Sequence, residues 1–225
     1  MTCPVDPVCT MERATRYSAL LEEVFDYQWD SVEQVDVLDL GCGDGCWARR
    51  LARLPVVGKV VAVDARTETR ATKPDEIVES PIAFVQAEAI SYLATCVERG
   101  ETFDLIFCAG LLYHLTEPWL LLERCAQVAP WLLLDTELAL PSATDCSGGV
   151  LGEWHGEDPA QPRAGLENKS FWLTERSLMT CLEDAGYTTV LEVKVPRDRF
   201  HPARKGGLAR HRPIFLCKRD PKWPK

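Results

Sequence analysis

Residues 37–51 read VLDLGCGDGCWARRL, an apolar run that passes through three alternating glycines into a helix-like pattern. Glycines at 41, 43 and 45 allow positive φ angles and leave no Cβ atoms between the backbone and a ligand. A helix that follows such a turn points its N-terminal amides at whatever occupies the turn. The stretch therefore predicts a buried strand, a ligand-binding turn and a helix in succession.

Acidic residues around this turn distinguish it from a dinucleotide site. The pattern GxGxxG places its third glycine one position later than Gly45, and the carboxylates of Asp39 and Asp44 would repel a pyrophosphate. They would instead favour the cationic amino group and sulfonium of S-adenosylmethionine (SAM). Asp64 ends the next apolar run and is well placed to accept hydrogen bonds from both ribose hydroxyls. Glu88 ends the third run and could accept one from the adenine amino group.

Apolar runs alternate with helical patterns along most of the chain. The predicted strands cover residues 35–40, 59–65, 82–89, 103–110, 131–137, 188–195 and 212–219. The predicted helices cover residues 11–25, 44–54, 90–99, 117–129 and 174–185, and Thr116 and Thr174 are predicted to cap the last two. This alternation predicts an α/β fold, a parallel sheet with helices on both faces. Right-handed crossovers then bring the ligand crevice to the carboxyl ends of the strands.

The chain is predicted to form one domain over residues 1–225, with three segments that depart from the alternation. Residues 1–34 form an N-terminal helical segment. Residues 139–170 are rich in Gly, Pro, Asp and Glu and are too long for an ordinary connection, which predicts a lid or substrate loop. Residues 196–211 form a basic loop between the last two strands.

The composition limits the classes of function. The net charge of −9 argues against a protein that binds nucleic acid non-specifically along its length. However, residues 194–225 carry eleven Lys/Arg against two Asp/Glu, which predicts either a phosphate-facing surface or a solvated end. The sequence contains neither an apolar run of membrane-spanning length nor a signal-peptide core, so we predict a cytoplasmic protein. Its ten cysteines include no CxxC pair and are expected to be reduced thiols, with no metal site.

The segments DLGCGDG (39–45) and VDA (63–65) resemble the first and second motifs of class I SAM-dependent methyltransferases. The similarity runs from about residue 35 to residue 195. It implies a Rossmann-like three-layer αβα sandwich with a seven-stranded, mostly parallel sheet whose last strand is reversed, and SAM as cofactor. By the family pattern, the cofactor-lining residues are Asp39, Gly41, Cys42, Gly43, Asp64, Ala65, Glu88, Ala89, Ala109 and Gly110.

A narrower similarity involves residues 109–125 (AGLLYHLTEPWLLLERC), 132–137 (LLLDTE) and 169–187 (KSFWLTERSLMTCLEDAGY). These segments resemble the branch that contains the tRNA wobble-uridine carboxymethyltransferase and many bacterial methyltransferases. In that branch the LYH segment lies beside the transferred group, which here implies Tyr113 and His114. The chain departs from this branch before residue 35, where little extension is left to hold a substrate as large as tRNA.

Candidate catalytic residues follow from the chemistry of methyl transfer. Displacement from a sulfonium mainly requires that the nucleophile be aligned and water excluded. Where the acceptor is a hydroxyl or a protonated nitrogen, a general base helps, and His114 is the candidate. Its alternative is a hydrogen bond to the backbone at the start of the next helix. Tyr113 is interpreted as a wall or donor of the acceptor pocket, against simple core packing.

Other side chains are candidates for contact with the acceptor. Glu137, with Asp135, ends the fifth strand and could orient a cationic acceptor or, together with His114, hold a metal, although hydrogen bonds to loop amides are the favoured alternative. Trp154 and His155 lie in the segment interpreted as a lid over a small polar acceptor. Arg199 belongs to the basic loop and could contact phosphate or carboxylate on the acceptor.

Three functions remain open from the sequence. The first is a methyltransferase that acts on an oxygen or nitrogen of a small-molecule acceptor. The second is an RNA methyl- or carboxymethyltransferase, which the basic C-terminal segment favours and the acidic remainder opposes. The third is a non-catalytic SAM-binding partner subunit, against which the intact glycine turn and LYH segment both argue.

Overall fold

The computed structural model describes residues 34–66, 81–161, 163–193 and 212–219. The strands in these ranges are β1 (Val35–Leu40), β2 (Val57–Asp64), β3 (Ile82–Gln86), β4 (Leu105–Ala109), β5 (Trp131–Asp135), β6 (Asp145–Ser147), β7 (Val150–Gly156), β8 (Lys169–Leu173), β9 (Tyr187–Glu192) and β10 (Ile214–Arg219). The helices are α1 (Cys46–Leu51), α2 (Ala89–Arg99), α3 (Pro118–Val128) and α4 (Glu175–Asp184), with a 3-10 turn at Leu112–His114.

Seven strands form the main sheet, in the order β3-β2-β1-β4-β5-β10-β9. The pairs β2–β3, β1–β2, β1–β4 and β4–β5 are parallel, whereas β10 runs antiparallel to both β5 and β9. The predicted fold is therefore confirmed: a mostly parallel Rossmann-like sheet of seven strands whose last strand is reversed. Because the strand order changes direction between β1 and β4, the ligand crevice of such a sheet opens above these two strands.

The sheet is buried on both faces because successive strand residues point to opposite sides. In β1, Leu38 and Leu40 belong to a core shared with α2, α3 and α4, while Val35 and Val37 belong to a second core beneath α1. All four side chains are inaccessible to solvent. This two-sided burial explains why the strands read as continuous apolar runs instead of alternating patterns.

The helix ends differ from the prediction in two places. Helix α1 covers only Cys46–Leu51, because Gly45 holds the left-handed φ of 73° and remains outside the helix. Thr116 was expected to cap α3, but Glu117 occupies the cap position and no side chain caps this end. Proline at position 118 lacks an N–H, so one fewer amide there needs a partner. The predicted cap at Thr174 is confirmed, since its side chain accepts a hydrogen bond from the amide of Ser177.

Residues 139–170 are more regular than the sequence indicated. They contribute β6, β7 and the first two residues of β8, which form a three-stranded antiparallel sheet. Glycine at 152 was read as a loop signal, but a Cβ there would lie 2.2 Å from the carbonyl oxygen of Trp172 and 2.7 Å from the ring of Phe171. This glycine permits close strand packing. The irregular part is the connection between these two strands, described over residues 157–161 and 163–168 and called here the β7–β8 loop.

Two predicted segments fall largely or wholly outside the described residues. These are the N-terminal helical segment, of which only residue 34 is described, and the basic loop of residues 196–211, which includes Arg199. Among the helices of the described ranges, none has the length and apolarity needed to cross a membrane.

Candidate active site

The glycine turn lies at the carboxyl end of β1. Gly41, Gly43 and Gly45 all adopt left-handed φ angles, of 72°, 53° and 73°. The amides of Gly41 and Cys42 both donate to the carbonyl oxygen of Val63, at 2.9 and 3.0 Å, which holds the turn against β2. The turn that the sequence predicted is present, and its position at the sheet edge is fixed by the neighbouring strand.

Asp64 is held by two backbone amides at the end of β2. Its Oδ2 accepts from the amide of Gly43 at 2.8 Å, and its Oδ1 accepts from the amide of Arg66 at 2.8 Å. Each carboxylate oxygen can accept a further hydrogen bond. The side chain is thus oriented beside the glycine turn, and Ala65 follows it in the chain. Contact of Asp64 with a ribose stays a prediction.

Asp39 is a buried carboxyl group beneath the turn. Only 2% of the residue is accessible, and its Oδ2 has no hydrogen-bond partner among the described residues. The pKa of Asp39 is raised to about 8, first by burial and then by the nearby charges of Asp64 and Asp44, whereas a backbone hydrogen bond from Ala48 lowers it. An unpartnered buried oxygen requires a compensating group. The cationic end of SAM is such a group, so this donor set fits the predicted cofactor.

Glu88 has a structural function that the sequence reasoning missed. It is the N-cap of α2, which begins at Ala89, and its Oε1 and Oε2 accept from the amides of Ile90 at 2.9 Å and Ser91 at 2.7 Å. A carboxylate cap of this kind satisfies amides that the helix itself leaves unpaired. Contact between Glu88 and adenine stays a prediction.

The segment after β4 brings the LYH turn against the glycine turn. Ala109 ends β4, and Gly110 follows with a left-handed φ of 81°. A Cβ on Gly41 would lie 3.0 Å from the Cβ of Leu111, so the two turns are in contact. Tyr113 and His114 are thereby placed at the same sheet edge as the predicted cofactor residues.

His114 is paired with a residue that the sequence analysis did not select. Its Nδ1 lies 2.9 Å from Oε1 of Glu157, and the two side chains are only 20% and 11% exposed. Glu157 also accepts from the hydroxyl of Ser170 at 3.0 Å and from the amide of Gly165 at 3.2 Å. The separation of 43 positions between His114 and Glu157 leaves no local sequence signal for this pair.

Tyr113 is held by an arginine from the start of β10. The guanidinium of Arg212 binds both carboxylate oxygens of Asp135, with Nε 2.6 Å from Oδ1, and donates to the hydroxyl of Tyr113 at 3.2 Å. Glu137 lies 3.7 Å from the same guanidinium. Asp135 was expected to bind loop amides or a cationic acceptor, and instead forms this bidentate ion pair. Burial raises the pKa of Tyr113, so its phenol is protonated at neutral pH.

An aromatic row continues from this pair into the small sheet. Tyr113 lies 4.3 Å from His114 and 5.6 Å from Trp172, and Trp172 lies 3.9 Å from His155, measured between ring centroids. Trp154 points to the other side of β7, where it packs on Phe171 at 4.9 Å. The structure therefore brings His155 toward Tyr113 and packs Trp154 against the core on the other side of the strand. Contact of Trp154 with the acceptor stays a prediction.

The β7–β8 loop is attached on both sides of the crevice. On the β2 side, the guanidinium of Arg66 donates to the carbonyl oxygens of Pro159 at 3.0 Å, Gly165 at 3.0 Å and Ala164 at 3.4 Å. On the β4 side, Glu157 contacts His114. Since β1 lies between β2 and β4, the loop spans the carboxyl end of the strand that carries the glycine turn.

Metal-binding residues do not cluster in the described ranges. No group of three or more His, Cys, Asp or Glu side chains there has the geometry to hold a metal ion.

A family comparison covers most of the chain. Residues 11–192 match the model of a family described as a methyltransferase domain. Among individual proteins, a ubiquinone biosynthesis O-methyltransferase from Albidiferax ferrireducens is 27% identical over 103 residues, which is 44% of this chain and 40% of that protein. The chain thus matches about two fifths of the length of this curated relative.

Solved structures show the same fold at low sequence identity. The N-terminal domain of EvdMO1 with S-adenosylhomocysteine (SAH) bound has a TM-score of 0.69 and 22% identity, covering 90% of this chain and 81% of that one. The 1,6-didemethyltoxoflavin-N1-methyltransferase of Burkholderia thailandensis, with 1,6-didemethyltoxoflavin and SAH bound, has a TM-score of 0.54 and 19% identity, covering 97% of this chain and 93% of that one.

Proposed function

The chain belongs to the methyltransferase domain family, and from this premise we propose that it transfers the methyl group of SAM to an oxygen or nitrogen atom of a small-molecule acceptor. The cofactor of this methyltransferase domain is SAM. When bound, it supplies a methyl group on a sulfonium, which is already an activated leaving group. The protein then has to orient both reactants, exclude water and remove a proton where the acceptor carries one.

The cofactor end of the site is assigned to the glycine turn and the strand ends beside it. Asp39 supplies the buried carboxyl oxygen that lacks a partner, and Asp64 supplies a carboxylate already oriented by the amide of Gly43. The cofactor can approach the backbone closely at Gly41, Cys42 and Gly43. The two glycines have left-handed φ angles and carry no Cβ atom that would stand between the backbone and the cofactor. Ala65, Ala89, Ala109 and Gly110 flank these groups.

The acceptor end is assigned to His114 and Tyr113. The observation that carries this assignment is the contact of the LYH turn with the glycine turn through Leu111. It puts an imidazole and a protonated phenol next to the cofactor residues. We assign His114 as the base that takes the acceptor's proton. Tyr113, held by Arg212, is assigned as a hydrogen-bond donor and wall of the acceptor pocket.

The size of the acceptor is inferred from the β7–β8 loop. The loop spans the crevice between Arg66 and His114, which favours a confined acceptor over a polymer. The aromatic row of Tyr113, Trp172 and His155 suits a planar or aromatic acceptor. Two proteins to which the chain is similar are named for methylation of small molecules, one at oxygen and one at nitrogen.

The RNA alternative rests on the basic C-terminal segment, most of which lies outside the described residues. Its described member nearest the site, Arg212, has a side chain only 15% exposed that is engaged by Asp135 and Tyr113. An arginine committed in this way is a poor phosphate contact, which favours the small-molecule acceptor. The contacts of Arg212 with Asp135 and Tyr113 also argue against a non-catalytic partner subunit, which would not need Tyr113 to be held in place.

Methyl-labelled SAM distinguishes these functions. The purified protein is incubated with it and either a small-molecule extract of cells or total tRNA, and the label is followed in each fraction. We expect label in the small-molecule fraction, lost in His114→Ala with SAM affinity intact. Label confined to tRNA, in a reaction that weakens as salt rises, would establish the RNA alternative instead.

A further inference from the structure

We propose that Glu157 is a positioning residue that holds His114 in the single tautomer able to accept a proton from the acceptor. The proposal rests on the proposed function, in which His114 is the base. It assigns a role to the first side chain of the β7–β8 loop, 43 positions after His114 in the sequence.

The tautomer follows from the type of the two contacting groups. A carboxylate can only accept hydrogen bonds, so the imidazole nitrogen 2.9 Å from Oε1 of Glu157 must carry the proton. That nitrogen is Nδ1, and the neutral ring then has its lone pair on Nε2. A hydrogen bond at one ring nitrogen that determines the state of the other is a general way to prepare a histidine for proton transfer.

The carboxylate of Glu157 is itself fixed by a chain of donors. The indole N–H of Trp172 donates to the hydroxyl oxygen of Ser170 at 3.2 Å, and that hydroxyl donates to Oε1 of Glu157 at 3.0 Å. The amide of Gly165 donates to Oε2 at 3.2 Å. Ser170 is fully buried, so this arrangement is shielded from water. With Nδ1–H of His114, the hydroxyl of Ser170 and the amide of Gly165 make three donors to the carboxylate, and they stabilise a charge that burial would otherwise penalise.

The imidazole is restrained on its other side as well. Its ring lies against Tyr113 at 4.3 Å, and the hydroxyl of Tyr113 is held by Arg212. The hydrogen bond to Glu157 and the ring contact with Tyr113 together restrict the orientation of the His114 ring. Hence the Nε2 lone pair has a defined direction.

Attachment of the β7–β8 loop does not depend on the His114–Glu157 pair. Arg66 binds three carbonyl oxygens of the loop, and the amide of Phe171 donates to the carbonyl oxygen of Leu115 at 2.8 Å. A buried carboxylate is therefore not needed simply to hold the loop in place. This separates a positioning role from a purely structural one.

Nuclear magnetic resonance of the free protein, with its histidine rings labelled with 15N, tests the proposal. Long-range proton–nitrogen spectra identify which ring nitrogen carries the proton, and His114→Gln assigns the signals. We compare wild type with Glu157→Gln and Glu157→Ala. The matched control is Glu153→Gln, which removes a carboxylate of the preceding strand, β7, that lies 3.6 Å from the ring of His155.

We expect the wild-type ring of His114 to be protonated at Nδ1, with a mixture of tautomers in Glu157→Ala and no change in Glu153→Gln. Circular dichroism and SAM affinity report whether each variant is folded, and Glu157→Gln supplies a variant of equal size. A wild-type ring protonated at Nε2 would overturn the proposal, as would an unchanged tautomer in both folded Glu157 variants. The measurement needs no acceptor, so a failure of methyl transfer would count against the proposed function alone.

Discussion

Replacing Asp39 with asparagine tests the electrostatics beneath the glycine turn. Burial is the main cause that raises the pKa of Asp39 from 3.8 to about 8, and the charges of Asp64 and Asp44 add to it. A carboxyl group whose pKa is raised in the folded protein binds a proton more tightly there than in the unfolded chain. Its contribution to stability is fully present below pH 3.8 and is lost as the pH rises through 8.

The size of this effect follows from the release of one proton from Asp39 when the protein unfolds. Between pH 5 and pH 7 the free energy of unfolding of the wild type should fall, relative to Asp39→Asn, by about 1.4 kcal/mol per pH unit, and at pH 8 by about half of that per unit, because the folded carboxyl group is then half ionised. The difference between the two proteins should therefore grow by roughly 4 kcal/mol from pH 5 to pH 8. Asparagine is nearly isosteric and cannot ionise, which makes it the appropriate substitution.

Urea denaturation of the cofactor-free proteins at pH 5, 6, 7 and 8 measures this difference. The matched control is Asp104→Asn, which removes a carboxylate whose Oδ2 accepts from the amide of Asp36 at 2.8 Å on the same sheet. We expect the stabilities of wild type and Asp39→Asn to diverge with rising pH. If the stabilities of wild type and Asp39→Asn instead change in parallel with pH, Asp39 is already ionised in the folded protein over this range. That result would refute the raised pKa of Asp39.

Three further substitutions test the assigned roles. Asp64→Ala should weaken SAM binding at least tenfold by calorimetry, because it removes the carboxylate assigned to the ribose; unchanged affinity would contradict that role. Glu88→Ala should destabilise the fold by about 1 kcal/mol through loss of the α2 cap, measured by urea denaturation, with Glu98→Ala, late in the same helix, as control. Arg66→Ala should increase proteolysis within the β7–β8 loop while the main sheet stays protected; an unaltered cleavage rate would mean that the loop is held elsewhere.

The sequence was sufficient for the main sheet and for the glycine turn. Parallel strands buried on both faces leave continuous apolar runs, as in β1, and glycines at alternate positions can serve only a few backbone geometries. Asp64 and His114 could be placed because Asp64 ends β2 and His114 lies in the turn after β4, and parallel strands end at one edge of the sheet. These inferences depend on the local sequence pattern and on the rule that the carboxyl ends of parallel strands meet at one edge of the sheet. The structure has the predicted strands and the predicted edge.

What the sequence could not provide are contacts between distant segments. The Arg212–Asp135 pair joins residues 77 positions apart, and Glu157 reaches His114 across 43. The small sheet was missed because Gly152 resembles a loop residue until the packing of Phe171 beneath it is seen. Thr116 was misassigned as a cap because cap propensity describes residue types, whereas the local backbone at Glu117 decides which residue occupies the position.

The structure of the protein with SAH bound tests the central claim most directly. We expect the ribose hydroxyls on the carboxylate of Asp64, the amino group near Asp39, and the sulfur facing Nε2 of His114 beneath the β7–β8 loop. The space beside the sulfur should be closed by Tyr113 and should hold only a small molecule. SAH bound away from the glycine turn, or a sulfur that faces an open surface remote from His114, would contradict the assignment.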